Sequence, residues 1–429
     1  MRRLLYSTTA LATAGLLAAP VASAEEGITL SLGGYMNNFI GAGDVNDSGM
    51  DFAETGMFSD GEVWFRGETT LDNGLSFGAN IQLESFSSGD QIDENFGYME
   101  GGFGRLMFGS ENTAAYLMQY SAPNVGAPIN TGWVTSFIPM PAGHDAGFRT
   151  PGLSTFIDTG NDENTLTYFT PRLFGFQLGL SYQAALAFTG EGKNFPAPAD
   201  KDTEYHHGFA VGVNFVESFG GVDVAVAGGY RRAQGPETDI TAINPTGIVG
   251  TNGVATKVFT IDRPDMQQVS GGINIGFAGF LIGGSVAAEI DGRVVASTSS
   301  FTTANHTGAL AALGGAGAVL PSPFPASTFA QGLGSFTSGA VSTEGWSYDA
   351  GVSYGTGPWT VGVAYIHGEV EGSVTTPGDD ELDAFSAGVE YAVGPGITAS
   401  VTGMYGDWEE EGGADNSGVL GILGISFGF

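Results

Sequence analysis

Leu75-Ser-Phe-Gly-Ala-Asn-Ile-Gln-Leu-Glu84 alternates without a break. Leu75, Phe77, Ala79, Ile81 and Leu83 fall on one side of an extended chain. Ser76, Gly78, Asn80, Gln82 and Glu84 fall on the other. Successive strand side chains face opposite ways, so the segment has one oily and one wet face. The same period returns in Phe174-Gly-Phe-Gln-Leu-Gly-Leu-Ser-Tyr182, at Phe209, Val211, Val213 and Phe215, and at Val222, Val224, Val226 and Tyr230. Working outward gives sixteen strands, at 28–41, 60–71, 75–86, 95–101, 104–110, 164–170, 174–186, 206–216, 222–232, 266–277, 280–291, 345–355, 359–369, 383–392, 397–407 and 417–429. An even count leaves both ends of the chain on one side. Gly33-Gly34 interrupts the first alternation and suggests a bulge.

A soluble sandwich would alternate too, so the medium against the oily rows must be decided. Strand ends are repeatedly aromatic: Tyr182, Phe215, Tyr230, Phe277, Trp346, Tyr354, Trp359, Tyr365, Tyr391 and Tyr405. Aromatic girdles at the two membrane interfaces produce that placement. Connections alternate between tight (Asp72-Asn73-Gly74, Gly102-Phe103, Ala278-Gly279, Thr356-Gly357-Pro358) and long, polar and acidic. Short turns on one rim and long loops on the other belong to transmembrane barrels. The last strand, Val419 to Phe429, ends on an aromatic residue. It reads as the strand that pairs with the first and removes both sheet edges. The expected fold is all-β: a 16-stranded antiparallel transmembrane β-barrel.

Bulk composition agrees. Arg2 and Arg3, the apolar run Leu4–Leu17 and Ala22-Ser23-Ala24 read as a signal peptide over 1–24, leaving 25–429 as the barrel. Beyond it, the nearest apolar stretch is Gly308–Leu320, too short for a spanning helix. Cysteine is absent. The net charge is −33. Without Arg2 and Arg3, 11 basic residues face 46 acidic ones, or −35. This argues against nucleic acid as a partner, which needs a basic face. Scattered His144, His306 and His367 argue against a barrel enzyme.

Four stretches carry a resemblance: Gly102-Phe-Gly-Arg-Leu-Met-Phe-Gly109, Asn164-Thr-Leu-Thr-Tyr-Phe-Thr-Pro-Arg-Leu-Phe-Gly-Phe176, Leu178–Tyr182 and Phe429. They resemble the Gram-negative general porins, especially the alphaproteobacterial type. The resemblance implies a water-filled channel in the outer membrane, passing ions and small hydrophilic solutes. It also implies a homotrimer among lipid and lipopolysaccharide, and a third extracellular loop folded into the lumen. In that family, acidic groups on the loop face basic groups on the wall.

The loop would run from about 110 to 163, too long for an ordinary hairpin connection. Trp133, Phe137, Ile138, Phe148 and Phe156 give it something to pack. Its candidate acids are Glu111, Asp145, Asp158, Asp162 and Glu163, and Arg149 lies within it. Parity places Arg66 on the wet face with Glu62 and Glu68, and Arg105 opposite Leu106 and Phe108. Arg231 also falls on a wet face. A mid-strand arginine facing lipid would cost about 2–4 kcal/mol, so Arg66 belongs in the lumen. With so few basic residues, cation selectivity is expected. A substrate-specific channel is the alternative.

No cofactor is expected, apart from calcium on acidic loops. Asp44-Val-Asn46-Asp47-Ser-Gly49 has part of a calcium loop but lacks its distal glutamate. Gly378–Asp383 and Glu409–Glu411 read as loop acids that solvation alone explains. His206-His207 face opposite ways on a strand and cannot share an ion easily. Gly292–Thr343 reads as a long loop that could cover the pore mouth or touch a neighbouring subunit.

Overall fold

The computed structural model describes residues 27–47, 53–86, 92–141, 152–157, 163–186, 200–202, 204–237, 240–244, 257–261, 264–292, 294–298, 337–342, 344–373, 376–410 and 415–429. Sixteen wall strands are β1 Thr29–Asp47, β2 Thr55–Thr70, β3 Ser76–Glu84, β4 Asn95–Gly101, β5 Gly104–Ser110, β6 Asn164–Phe169, β7 Phe176–Leu186, β8 Tyr205–Phe219, β9 Val222–Gln234, β10 Met266–Phe277, β11 Phe280–Asp291, β12 Gly345–Thr356, β13 Trp359–Ser373, β14 Thr376–Gly394, β15 Ile397–Glu409 and β16 Asn416–Gly428. Each pairs antiparallel with its sequence neighbours. β16 pairs back onto β1, from Tyr35↔Gly428 to Asp47↔Asn416, and closes the barrel. Residues 1–24, expected to be a signal peptide, lie outside the described residues.

Burial is inverted relative to a soluble sheet. On β3, Phe77 and Ile81 are 39% and 43% exposed, whereas Asn80 and Gln82 are 4% and 6% exposed. Phe209, Val211 and Val213 on β8 and Val401 and Tyr405 on β15 likewise face out. Water-facing apolar rows of this extent would be a severe aggregation liability, whereas hydrocarbon welcomes them. Closure leaves no backbone edge unpaired in lipid. No helix among the described residues is long and apolar enough to cross a membrane.

The bulge expected at Gly33-Gly34 is absent, because the β1–β2 register runs through it unbroken. Gly34 instead makes room for the chain's last side chain. A Cβ on Gly34 would lie 2.9 Å from Phe429 Cζ and 2.3 Å from the Glu62 carbonyl oxygen. Gly34 and Phe429 exchange backbone hydrogen bonds of 2.9 and 3.0 Å.

Several strands outrun their expected ends, because polar residues above the membrane band still pair. β1 continues to Asp47, so Asp44, Asn46 and Asp47 lie on an extended strand. They stand on strand backbone paired with β16 rather than in a loop. Asp379–Asp383 are strand residues too, paired as Glu371↔Asp379 and Glu369↔Glu381, not a loop. Within 292–343, Val294–Thr298 pairs with Thr337–Ser342 as a hairpin above β11 and β12. A second hairpin joins Ile240–Asn244 to Lys257–Ile261. On the opposite rim the turns are tight. Gly220-Gly221 bridges β8 and β9 with φ of +58° and +93°, a conformation that favours glycine.

Candidate functional site

After β5 the chain turns into the barrel as a two-limbed ribbon, whose outbound limb begins at Glu111. It carries two single-turn helices, α1 Ala114–Leu117 and α2 Val134–Phe137. Ala114 N–H donates to Ser181 Oγ on β7 (2.8 Å), and Asn214 Nδ2 on β8 donates to the Met118 carbonyl (3.3 Å). Ser270 Oγ on β10 donates to Gln119 Oε1 (3.0 Å). Gly126 N–H donates to Glu390 Oε1 on β14 (2.8 Å) and Ala127 N–H to Thr402 Oγ1 on β15 (3.0 Å). Trp408 Nε1, also on β15, donates to the Ile138 carbonyl (3.2 Å). The return limb packs beside the outbound one through Gly132 N–H to the Leu153 carbonyl (3.2 Å).

Asp349 on β12 fastens both limbs. It accepts from Ala122 N–H (3.1 Å) and Asn130 Nδ2 (2.7 Å) on the outbound limb, and from Thr155 Oγ1 (3.0 Å) on the return limb. Ser285 Oγ on β11 completes the set at 2.8 Å. Charge-assisted bonds of this kind are roughly twice as strong as neutral ones.

The dry core of the protein lies between ribbon and inner wall. Ala127, Ile129, Val134, Phe137 and Ile138 pack on Phe39, Ile366, Leu382, Met404, Trp408, Leu420 and Ile422. Trp133 stacks edge-on to Phe58, with ring centroids 5.0 Å apart. The loop aromatics Trp133 and Phe137 therefore pack as expected, Phe156 meets Tyr116 at 5.1 Å, and Phe148 lies outside the described residues.

Glycines mark where the ribbon touches the wall. A Cβ on Gly272 would lie 1.8 Å from the Tyr120 carbonyl oxygen, and one on Gly388 1.9 Å from that of Val125. On Gly212 it would meet the Ala114 carbonyl oxygen at 2.4 Å, on Gly362 Val125 Cγ2 at 2.6 Å, and on Gly406 Ile138 Cδ1 at 2.8 Å. Real Cβ contacts do not come this close. The absence of a side chain at these positions lets the ribbon lie flush on the wall.

The remaining arc, β2 to β5, carries the charges singled out in the sequence. Arg66 is on the inner face, its Nε donating to Asn80 Oδ1 (3.2 Å) and its Cζ 4.8 Å from the Trp64 ring centroid. Glu68 accepts from Tyr98 Oη. Arg105 Cζ lies 3.9 Å from the Tyr98 ring centroid, and its Nε 3.9 Å from Glu100 Oε2. Glu62 is buried above them. Glu111 is buried at the ribbon's root, accepting from Asn112 N–H (2.8 Å), and Glu163 is buried where the ribbon rejoins β6. Asp145, Arg149, Asp158 and Asp162 lie outside the described residues. Arg231 faces inward on β9, with Nη2 2.5 Å from Gln183 Oε1.

A closed, inside-out barrel with a loop docked on its inner wall is a channel architecture, and the family model described as Gram-negative porin matches residues 7–411. The chain belongs to the Gram-negative porin family. Like other porins it is an outer-membrane, multi-pass β-barrel channel for passive diffusion. Among solved structures, this porin is similar to in-vitro folded OmpT of Vibrio cholerae, at 13% identity over 96% of this chain and 100% of that one, with a TM-score of 0.52. It is similar to OmpF of Salmonella typhi in complex with daunomycin, at 12% identity over 94% and 98%, with a TM-score of 0.52. A mutant of the Rhodopseudomonas blastica porin aligns at 14% identity over 94% and 100%, with a TM-score of 0.47. No curated protein matches the chain.

Sequence reasoning missed Asp349 and Glu390 as ribbon anchors, and Asp93 and Glu94 beside the ribbon root. The rule that placed Arg66 would have found the first. An acid inside Trp346–Tyr354, in step with Ser347 and Ser353, must face the lumen.

Titration of the ribbon root has a directional consequence. Burial pushes Glu111 up to about 7, against the lowering effect of its hydrogen bonds from Asn112; nearby Asp93 raises it further and Arg105 lowers it. Burial raises Asp93 as well. Glu111 thus binds its proton more tightly folded than unfolded. Its charge disfavours the folded root as pH rises from the ordinary carboxylate range through about 7, and the folded root gains stability on acidification across that window. Lowering the bath from about pH 8 to about pH 5.5 should therefore reduce the potassium-over-chloride permeability ratio, as this lumenal charge is neutralised. The reversal potential checks it, and Glu111→Gln should flatten the profile.

Proposed function

We propose that this porin is a cation-preferring general diffusion channel that works as a homotrimer among outer-membrane lipid and lipopolysaccharide. The carrying observation is the charge on the arc from β2 to β5. Glu62, Glu68, Glu100, Glu111 and the neighbouring Asp93 and Glu94 collect there. Its basic groups, Arg66 and Arg105, are held against Asn80 and Trp64 and against Glu100 and Tyr98. A low-dielectric passage lined by one sign of charge concentrates the opposite ion. The selectivity residues in this reading are Arg66, Glu62, Glu68, Arg105, Glu111 and Glu163. Asp145, Arg149, Asp158 and Asp162, within 110–163 of the sequence, complete the set.

Planar-bilayer recordings in a potassium chloride gradient test the proposal. A reversal potential toward that of potassium is expected, with three equal closing steps per insertion. Chloride preference would refute the charge reading. Saturable block by a single solute would replace it with a substrate-specific channel.

A further inference from the structure

We infer that Glu62, Asp93 and Glu94 form a binding site in this porin for a hard divalent cation of the calcium type. One carboxylate oxygen from each lies within 4.8 Å of the others. Two oxygens bound to one calcium at about 2.3–2.6 Å are no more than about 5 Å apart, so three such oxygens can share an ion. The donor set is oxygen only, which suits calcium or magnesium rather than zinc or copper. Calcium tolerates irregular geometry and completes its shell with water, whereas magnesium demands a near-ideal octahedron.

A second observation separates this cluster from an ordinary acidic patch. Glu62 is only 8% exposed, and among the described residues its Oε1 meets no donor at hydrogen-bonding geometry. Beside it, Asn112 is 5% exposed. Its Nδ2 donates to Glu94 Oε1 at 3.1 Å, while its Oδ1 has no donor among the described residues. A buried carboxylate oxygen without a donor is costly unless positive charge is supplied. The arginines of the same arc are turned to other partners, Arg66 to Asn80 and Trp64, and Arg105 to Glu100 and Tyr98.

The three acids come from separate places: Glu62 from the β2 wall, and Asp93 and Glu94 from the segment entering β4, with Asn112 joining them to the ribbon root. An ion here clamps ribbon root to wall and cancels two lumenal charges. Calcium is then both a fastener and a brake on cation preference; the second effect rests on the function proposed above, the first does not.

The whole porin, refolded in detergent, should be titrated with terbium chloride while exciting tryptophan. Trp64 lies two residues from Glu62 on the same face of β2. Sensitised emission should saturate, and calcium chloride should displace it. Glu62→Gln and Asp93→Asn should each weaken terbium binding at least roughly tenfold, the loss that even an outer-shell partner of a metal site causes. Should Glu62→Gln fail to fold, the less buried Asp93 carries the test. Absence of saturable emission, or unchanged binding in the variants, overturns the site. So does loss of emission only on mutating the group of His367, Glu381 and Asp383, the other candidate cluster among the described residues. In bilayers, calcium should lower potassium preference in the wild type and not in the variants. A chloride-preferring channel that still binds terbium through Glu62 would refute the selectivity reading and leave the site standing.

Discussion

Asp349→Ala should give larger and noisier unit currents than the wild-type porin. Asp349 receives three donors from the ribbon and one from the wall. Its removal leaves Ala122 N–H without its acceptor inside a packed interface, Asn130 Nδ2 with only the Ala122 carbonyl oxygen (3.3 Å), and Thr155 Oγ1 with only Ser285 Oγ (2.6 Å). Deleting a buried charged partner typically costs about 3–5 kcal/mol, much of it from groups left unpaired. The wall is held by its strand ladders, so far-ultraviolet circular dichroism should change little. The cost falls on docking of the ribbon, which then samples detached positions. Single-channel recording reads this as a raised mean step and added open-channel noise. An unchanged step would mean that Glu390, Thr402 and Trp408 hold the ribbon without Asp349, or that the ribbon does not set the bore.

Gly272→Val should act in the opposite direction. Its new Cβ would fall 1.8 Å from the Tyr120 carbonyl oxygen and 2.8 Å from its carbon, both backbone atoms. The ribbon must shift lumenward to relieve the clash, because the paired wall strand cannot retreat. Overpacking of this kind costs about 1–3 kcal/mol. The expected reading is a smaller unit conductance, deepened by adding Gly388→Val, where the Val125 carbonyl oxygen lies 1.9 Å away. Gly271→Val is the control. It points to the lipid side, and the nearest atom to its Cβ would be the Ala227 carbonyl oxygen at 3.7 Å. Equal effects at 271 and 272 would point to general damage to β10 rather than to ribbon seating.

The barrel was legible because lipid imposes a period of two that few other environments impose so evenly. Leu75–Glu84 and Phe174–Tyr182 carry that period plainly, and all sixteen wall strands follow from it. Strand tips were not legible, because Asp44, Asn46 and Asp379–Asp383 pair above the membrane band, where polarity no longer distinguishes strand from loop. The inner core was masked for a related reason. Val363-Ala-Tyr-Ile-His367 and Val419-Leu-Gly-Ile-Leu423 are apolar on both faces, the mark of a strand covered on both sides. That mark announces a cover on the inner wall without saying what the cover is. Parity placed Arg66, Arg105, Glu62 and Glu68 on the inner wall, and the structure puts them there. Which acids stand next to Glu111 depended on the approach of residues 93 and 94 to β2, a tertiary fact no periodicity encodes.

The glycine seats also bear on how such channels diversify. Insert and cylinder are fitted to each other tooth by tooth, from Gly212 round to Gly406. Transplanting residues 111–163 into a foreign cylinder would bring bulk against bulk, so new bores must arise by paired changes in both parts.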